Sequence, residues 1–421
     1  MRHVMFAALV ALLIAGCKGD GAATGAPGGG THRAILDEAW CNREGLTPAL
    51  RQTVFLVDER ALVPGKGAAF RTANPKLFEA MNTLASPSQG QASGIMAPRE
   101  RLTVYVMPSD GGAPRLIYSG CAPGFSAGEL ADAQSNRSRV GDFVGGSLAG
   151  ELESATEAYN RRFILSIARM GDIAAPPPVR AGDFARSSLL SSLSAVRQLA
   201  RDGAGVARYF VFTDLATFPD MSDSTAAREA GFELARESRL FLGGADVVLI
   251  GSQGSGTAGS RDFATAFFLG SQSDLLGWGS GALGSLPAAP VAVQTYSGEL
   301  RYPGMRYPMR LIIGRDAQNR LVNSWLFVTS DAEWATPVGG SLRCSGDVCE
   351  LLSDNSGLGQ RWSLNTDAKP EFDAELPLSG MRAITAEIAP DHARGEIWDP
   401  DVDGFLDAPT VKSLPFELNP F

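Results

Sequence analysis

Arg208-Tyr-Phe-Val-Phe-Thr-Asp214 and Ala245-Asp-Val-Val-Leu-Ile-Gly251, with a helical stretch between them, are the segments whose reading decides the fold. Each is a short run of aromatic and branched residues without polar alternation, so a strand formed there buries both faces. A parallel sheet covered by helices on both sides demands such strands. From about Thr225 to Arg239 apolar residues recur at helical spacing and supply the crossover that lays the second strand parallel to the first. A further helix near Arg261 to Leu269 closes this unit.

Upstream the same rhythm continues. Leu189, Leu190, Leu193, Val196 and Leu199 line one face of a helix from Ser187 to Ala200. Another helix spans 148–170 and is stopped by Ala174-Ala-Pro-Pro-Pro178. Thr53 to Val57 reads as a strand ending at Asp58. Leu102 to Met107 and Arg115 to Tyr118 read as a hairpin around the turn-rich Pro108 to Pro114. The expectation is a doubly wound α/β domain over 36–284.

Past residue 285 helical periodicity fades. Val291 to Tyr296, Tyr307 to Ile313, Ser324 to Thr329 and Ala383 to Ile388 are short strands separated by turns, predicting a smaller, β-rich, sandwich-like domain over 285–421. The chain of 421 residues is long enough for both.

The amino terminus reads differently. Met1-Arg2-His3 precedes an apolar run from Val4 to Ala15, shorter than the roughly 20 residues a membrane span needs. It ends in Leu12-Leu-Ile-Ala-Gly-Cys17, which resembles the lipobox of bacterial lipoprotein signal peptides. The resemblance implies removal of 1–16 and acylation of Cys17, with diacylglycerol and a further acyl chain such as palmitate, anchoring the chain to a membrane. Residues 17–35 form a Gly-rich tether, and Lys18 rather than Asp after the lipidated cysteine favours the outer membrane.

The net charge is −9 and no Lys/Arg cluster stands out, which argues against nucleic acid as a partner. Four cysteines remain after Cys17, and in an exported chain they read as two disulfides. Cys344-Ser-Gly-Asp-Val-Cys349 encloses a turn and staples a hairpin, leaving Cys41 to pair with Cys121. Zinc is the competing reading, but the spacing does not match a metal finger.

The order of elements over about 50–282 resembles a von Willebrand factor A (vWA) type domain. The resemblance rests on Val54-Phe-Leu-Val-Asp58, the Ser187-Ser188 opening of a helix, Val211-Phe-Thr-Asp-Leu215, Val247-Val-Leu-Ile-Gly251 and the closing Phe263 to Phe268 helix. It implies a divalent cation at the strand ends, held by an Asp-x-Ser-x-Ser loop, a Thr and a second Asp, where oxygen ligands suit Mg²⁺. Here the loop is Asp58-Glu59-Arg60-Ala61-Leu62, without either serine. The implied binding site is Asp58, Arg60, Ser187, Ser188 and Asp214, degenerate for metal, with Arg60 neutralising the aspartates. The alternative is that both aspartates only cap turns.

Three other constellations bear on chemistry. Gly124-Phe-Ser126-Ala-Gly128 fits a nucleophile-elbow pattern, and with His392 it gives the alternative of a secreted serine hydrolase of esterase type. Asp399, Asp401, Asp403 and Asp407, with Gly404, resemble a Ca²⁺ loop that lacks its closing Glu. Gly251-Ser-Gln-Gly-Ser-Gly-Thr257 has the texture of a phosphate loop without its Lys, so it reads as a strand-to-helix connection. The leading expectation is a non-enzymatic, lipid-anchored envelope protein that binds or scaffolds an envelope or surface protein, with no cofactor beyond Ca²⁺ or Mg²⁺.

Overall fold

The computed structural model describes residues 34–85, 96–136, 148–172, 182, 184, 188–200, 206–252, 256–279, 283, 286–302, 305–329, 333–353, 383–398 and 413–421. Cys17 and its tether, Ser187, and the acidic loop with Asp399, Asp401, Asp403 and Asp407 lie outside the described residues.

The two apolar runs become β5 (Val206–Thr213) and β6 (Ala245–Gly251), joined by helix α6 (Ser224–Ser238). They sit inside a seven-stranded sheet of order β1-β4-β3-β2-β5-β6-β7. Its other strands are β1 (Ile35–Asp37), β2 (Arg51–Asp58), β3 (Arg101–Met107), β4 (Arg115–Cys121) and β7 (Ser273–Trp278). Strands β2, β3, β5, β6 and β7 run parallel, whereas β4 pairs antiparallel with β3 and carries β1 beside it.

Alternate side chains of each strand go to opposite layers. Phe55, Val57, Phe210, Phe212, Val248 and Ile250 meet α1 (Gly67–Ala73), α2 (Pro75–Ala85) and α4 (Leu148–Ala168). Val54, Leu56, Tyr209, Val211, Val247 and Leu249 meet α5 (Ser188–Ala200), α6 and α7 (Ala258–Gly270). Helices thus cover both faces, as the unbroken apolar runs require. Helices α6 and α7 approach closely at Gly231, where a Cβ would collide with the Phe263 carbonyl oxygen.

The carboxyl-terminal region forms one nine-stranded antiparallel sheet of order β11-β10-β9-β8-β16-β15-β14-β13-β12. Its strands are β8 (Ala292–Tyr302), β9 (Met305–Arg315), β10 (Trp325–Thr329), β11 (Glu333–Pro337), β12 (Gly340–Ser345), β13 (Val348–Ser353), β14 (Ala383–Ala389), β15 (His392–Trp398) and β16 (Ser413–Pro420). The expectation of a sandwich is corrected in one respect: these strands are hydrogen-bonded as a single sheet. The sheet curls over its own core, because its β12 end returns to the β9–β10 connection. There Leu321 N–H donates to the Gly340 carbonyl at 2.9 Å and Leu342 N–H to the Asn319 carbonyl at 2.8 Å. The enclosed core, from Leu300 and Leu311 to Leu351, Ile388 and Phe416, also takes in Phe232, Ala266 and Leu269 from α6 and α7. Those two helices therefore lie between the parallel sheet and the antiparallel one, and Ala34–Phe421 forms a single compact unit.

Cys41 is bonded to Cys121 and Cys344 to Cys349, so the described thiols are paired and none is left for zinc. The first bond ties the segment after β1 to the end of β4, beneath Trp40 and Phe125. The second joins directly opposed residues of the β12–β13 hairpin.

Candidate functional site

Strands β2 and β5 are neighbours at the centre of the parallel sheet, where the chain turns from building one side to building the other. In α/β sheets, ligands bind at the carboxyl edge of such a switch point. Asp58 ends β2 and Asp214 follows β5.

The two aspartates share a local motif. Asp58 accepts the Arg60 N–H at 2.9 Å and Asp214 accepts the Ala216 N–H at 3.0 Å, each opening a single 3₁₀ turn. Capping is therefore part of what both residues do. Asp58 does more. It is fully buried, and the Arg60 guanidinium donates to its two oxygens from Nε and Nη2, both at 3.3 Å. The register places Thr213 beside it, and the Thr213 hydroxyl donates to Asp58 Oδ2 at 2.9 Å. A carboxylate buried at a sheet edge has to be compensated by a cation and by donors, and here the cation is Arg60.

Asp58 and Thr213 lie on the sheet face covered by α5, the face of Leu56 and Val211. Ser188 opens that helix, and the Oγ atoms of Ser188 and Ser192 are buried without a hydrogen-bond partner among the described residues. Thr217, in the turn after Asp214, has its hydroxyl in the same condition. Buried polar groups are nearly always bonded, so these hydroxyls, on the helix over this face and in the turn after Asp214, are polar capacity that the described residues do not use. Glu59 extends the edge toward β3, accepting the Ser109 N–H at 2.9 Å and pairing with Arg115 at 3.2 Å.

Among the described residues no group of His, Cys, Asp and Glu has the arrangement of a metal site. Donors to Asp58 are one hydroxyl, that of Thr213, with the Arg60 guanidinium and the Arg60 backbone amide. The Arg60 guanidinium, 3.3 Å from both Asp58 oxygens, occupies the charge-compensating place beside Asp58 that a divalent ion would take.

The hydrolase pair is not brought together. Ser126 precedes helix α3 (Ala127–Asn136) and forms a reciprocal cap with Glu129: Ser126 N–H donates to Glu129 Oε2 at 2.7 Å and Glu129 N–H to Ser126 Oγ at 3.3 Å. His392 sits at the β14–β15 turn of the other sheet, with Nδ1 2.8 Å from Asp391 and Nε2 3.0 Å from Glu387. Those carboxylates raise the imidazole pKa, Glu387 foremost. With both ring nitrogens occupied by acids on its own hairpin, His392 is not a base for Ser126.

A second polar cluster escaped the sequence reading. Arg51, Glu100 and Arg208, each no more than 2% exposed, meet at the amino edge of the parallel sheet. Glu100 accepts from Arg51 Nε and Nη2 at 3.0 Å, from Arg208 Nη2 at 3.1 Å, from the Ala97 N–H at 2.7 Å and from the Thr53 hydroxyl. Burial alone would raise the Glu100 pKa, yet Arg51, Arg208 and Thr53 together hold it below the usual carboxylate range. This cluster lies at the edge opposite the crevice.

No family model matches the chain, and no curated protein matches it. Among solved structures, the human COPII-coat protein Sec24c aligns with a TM-score of 0.29 and 9% identity, over 91% of this chain and 45% of that one. The chain thus spans less than half the length of that protein, and so slight a likeness carries no argument about fold or function.

Proposed function

We propose that this chain is a lipid-anchored envelope protein whose parallel sheet is a vWA-like binding module. It engages a protein partner at its carboxyl edge and uses Arg60 where a metal-dependent relative would use a divalent ion. The observation that carries this reading is the buried Asp58, bonded at once to Arg60 and Thr213 at the switch point of the sheet. The amino-terminal lipobox supports the anchor, and the net charge of −9 supports a protein rather than a polyanion as partner. The curled antiparallel sheet braces α6 and α7, the helices on the crevice side of the parallel sheet.

A photo-crosslinking amino acid at the exposed Ala216, beside the crevice, tests the proposal in intact cells. The expected result is one discrete adduct with an envelope protein. The same probe at Arg343, exposed on the antiparallel sheet, yields none. Equal adducts from both positions, or none from Ala216, would remove the basis for the assignment.

A further inference from the structure

At the amino edge of the parallel sheet, one lateral row of side chains is polar where the neighbouring rows are apolar. Thr53, Arg208, Asp246 and Asp274 are register partners along β2, β5, β6 and β7. They share the face of Phe55, Phe210 and Val248. Arg51 and Glu100 complete the row from one end, and Tyr159 of α4 faces Glu100 from the covering layer.

The row holds two guanidiniums against three carboxyls, Glu100, Asp246 and Asp274. Two guanidiniums, Arg51 and Arg208, converge on one carboxylate, Glu100, whose oxygens are saturated by five donors. One positive charge is left for Asp246 and Asp274, side by side in register. Asp246 is 3% exposed, and its Oδ2 has no hydrogen-bond partner among the described residues. Two adjacent carboxyls that share one compensating charge hold a proton between them into the neutral range. Burial pushes Asp246 up to about 6 against the pull of Arg51 and Arg208, with Glu100 adding to the rise. Asp274 is half-buried by its accessible surface, and desolvation together with the neighbouring Asp246 pushes it up, to about 7 at full burial.

Connections of the antiparallel sheet reach this row at the amino edge. Asn323, in the β9–β10 connection, faces Asp246. Arg51 Nη1 reaches the Pro287 carbonyl, in the segment leading to β8, at 3.5 Å. Gly244, directly before β6, abuts the Trp325 ring of β10. Titration of the pair therefore occurs within the seam between the two sheets.

We infer that this row is a proton-operated clasp, in which a proton on the Asp246–Asp274 pair seats the antiparallel sheet against the amino edge of the parallel sheet and its loss loosens that seam. The sign follows from linkage. An acid whose folded pKa lies above its unfolded value of about 4 gives stability that is full below that value and is lost as pH rises through the folded one. The window runs from about pH 4 to about pH 7.

Hydrogen exchange of the full chain, read by mass spectrometry at pH 5 and pH 8 and corrected for intrinsic exchange chemistry, tests the clasp. Amides of β6, β7 and 316–325 are expected to lose about tenfold or more of their protection at pH 8, since one pKa unit is a factor of ten. The β12–β13 hairpin keeps its protection. Asp246→Asn and Asp274→Asn each reduce the pH dependence of the seam by about tenfold. If Asp246→Asn does not fold, Asp274→Asn alone carries the test. Seam protection that is equal at both pH values, a loss spread evenly over the molecule, or a pH dependence unchanged in the variants would overturn the proposal.

Discussion

Replacing Glu100 by Gln tests whether the buried Arg51–Glu100–Arg208 cluster is balanced as described. The substitution keeps the side-chain shape, removes the charge and turns one acceptor into a donor facing guanidinium N–H groups. Of the five donations to Glu100, those from Arg51 and Arg208 lose their ionic partner, and the cluster is wholly buried. Removing one partner of a buried ion pair costs about 3–5 kcal/mol because a charge is left uncompensated. We expect about 4 kcal/mol here, a large share of the roughly 5–15 kcal/mol that holds a folded protein together. Urea unfolding followed by tryptophan fluorescence, with Trp325 buried in the core, gives the difference directly. The penalty shrinks in acid: the lowered Glu100 pKa gives stability that is present above the unfolded value and is lost as pH falls through the folded one. An apolar triple variant, Arg51→Met with Glu100→Leu and Arg208→Met, is expected to lie closer to wild type than Glu100→Gln at pH 5, where Asp246 and Asp274 take up protons once the guanidiniums beside them are gone and no buried charge is left unpaired. A loss under about 1 kcal/mol for Glu100→Gln, the range of solvent-exposed pairs, would refute the reasoning.

Other consequences are simpler to state. Gly231→Ala inserts a methyl group into the α6–α7 contact against the Phe263 carbonyl and should cost about 1–3 kcal/mol, read as a lowered thermal midpoint. Replacing both Cys41 and Cys121 by Ser opens a bond between residues 80 apart and should cost about 4 kcal/mol on the chain-entropy argument. Removing the Cys344–Cys349 bond, only 5 residues apart, should cost about 2 kcal/mol, and unfolding of the two double variants in parallel checks the order. Cys17→Ala should abolish metabolic palmitate labelling and shift the protein from the membrane to the soluble fraction. Retention in the membrane without label would remove the lipid anchor from the account.

The parallel sheet was legible because its central strands must bury both faces, and Val54 to Val57, Phe210 to Phe212 and Val247 to Ile250 carry that requirement in their residue types. β16 was hidden by Pro415, since proline argues against a central strand. The structure accommodates it because pairing with β8 begins only at Phe416. β15 was hidden by Gly395, which is needed where a Cβ would collide with the Thr385 carbonyl. β7 follows α7 after only Ser271 and Gln272, too short a break to read as a boundary.

At the site, Asp58, Arg60 and Asp214 were found from their positions at strand ends, whereas the partnership of Thr213 depends on register between strands far apart in sequence. The buried ionic row did leave a signal. Arg208 and Asp246 are charges at equivalent places in runs otherwise committed to a double-sided core, and such residues have to find one another. What sequence could not supply was Glu100, which lies just ahead of a strand and is drawn in by Arg51 across the sheet.

The central claim is that the carboxyl edge binds its partner through Arg60 rather than through a metal. The most direct measurement is the yield of the Ala216 crosslink in four conditions: wild type and Arg60→Ala, each with Mg²⁺ and with EDTA. The account predicts a yield in wild type that EDTA does not change and that falls about tenfold or more in Arg60→Ala, the loss expected for a charge-assisted contact of about 1.4 kcal/mol or more. A wild-type adduct that disappears with EDTA, or one indifferent to Arg60→Ala, would contradict it.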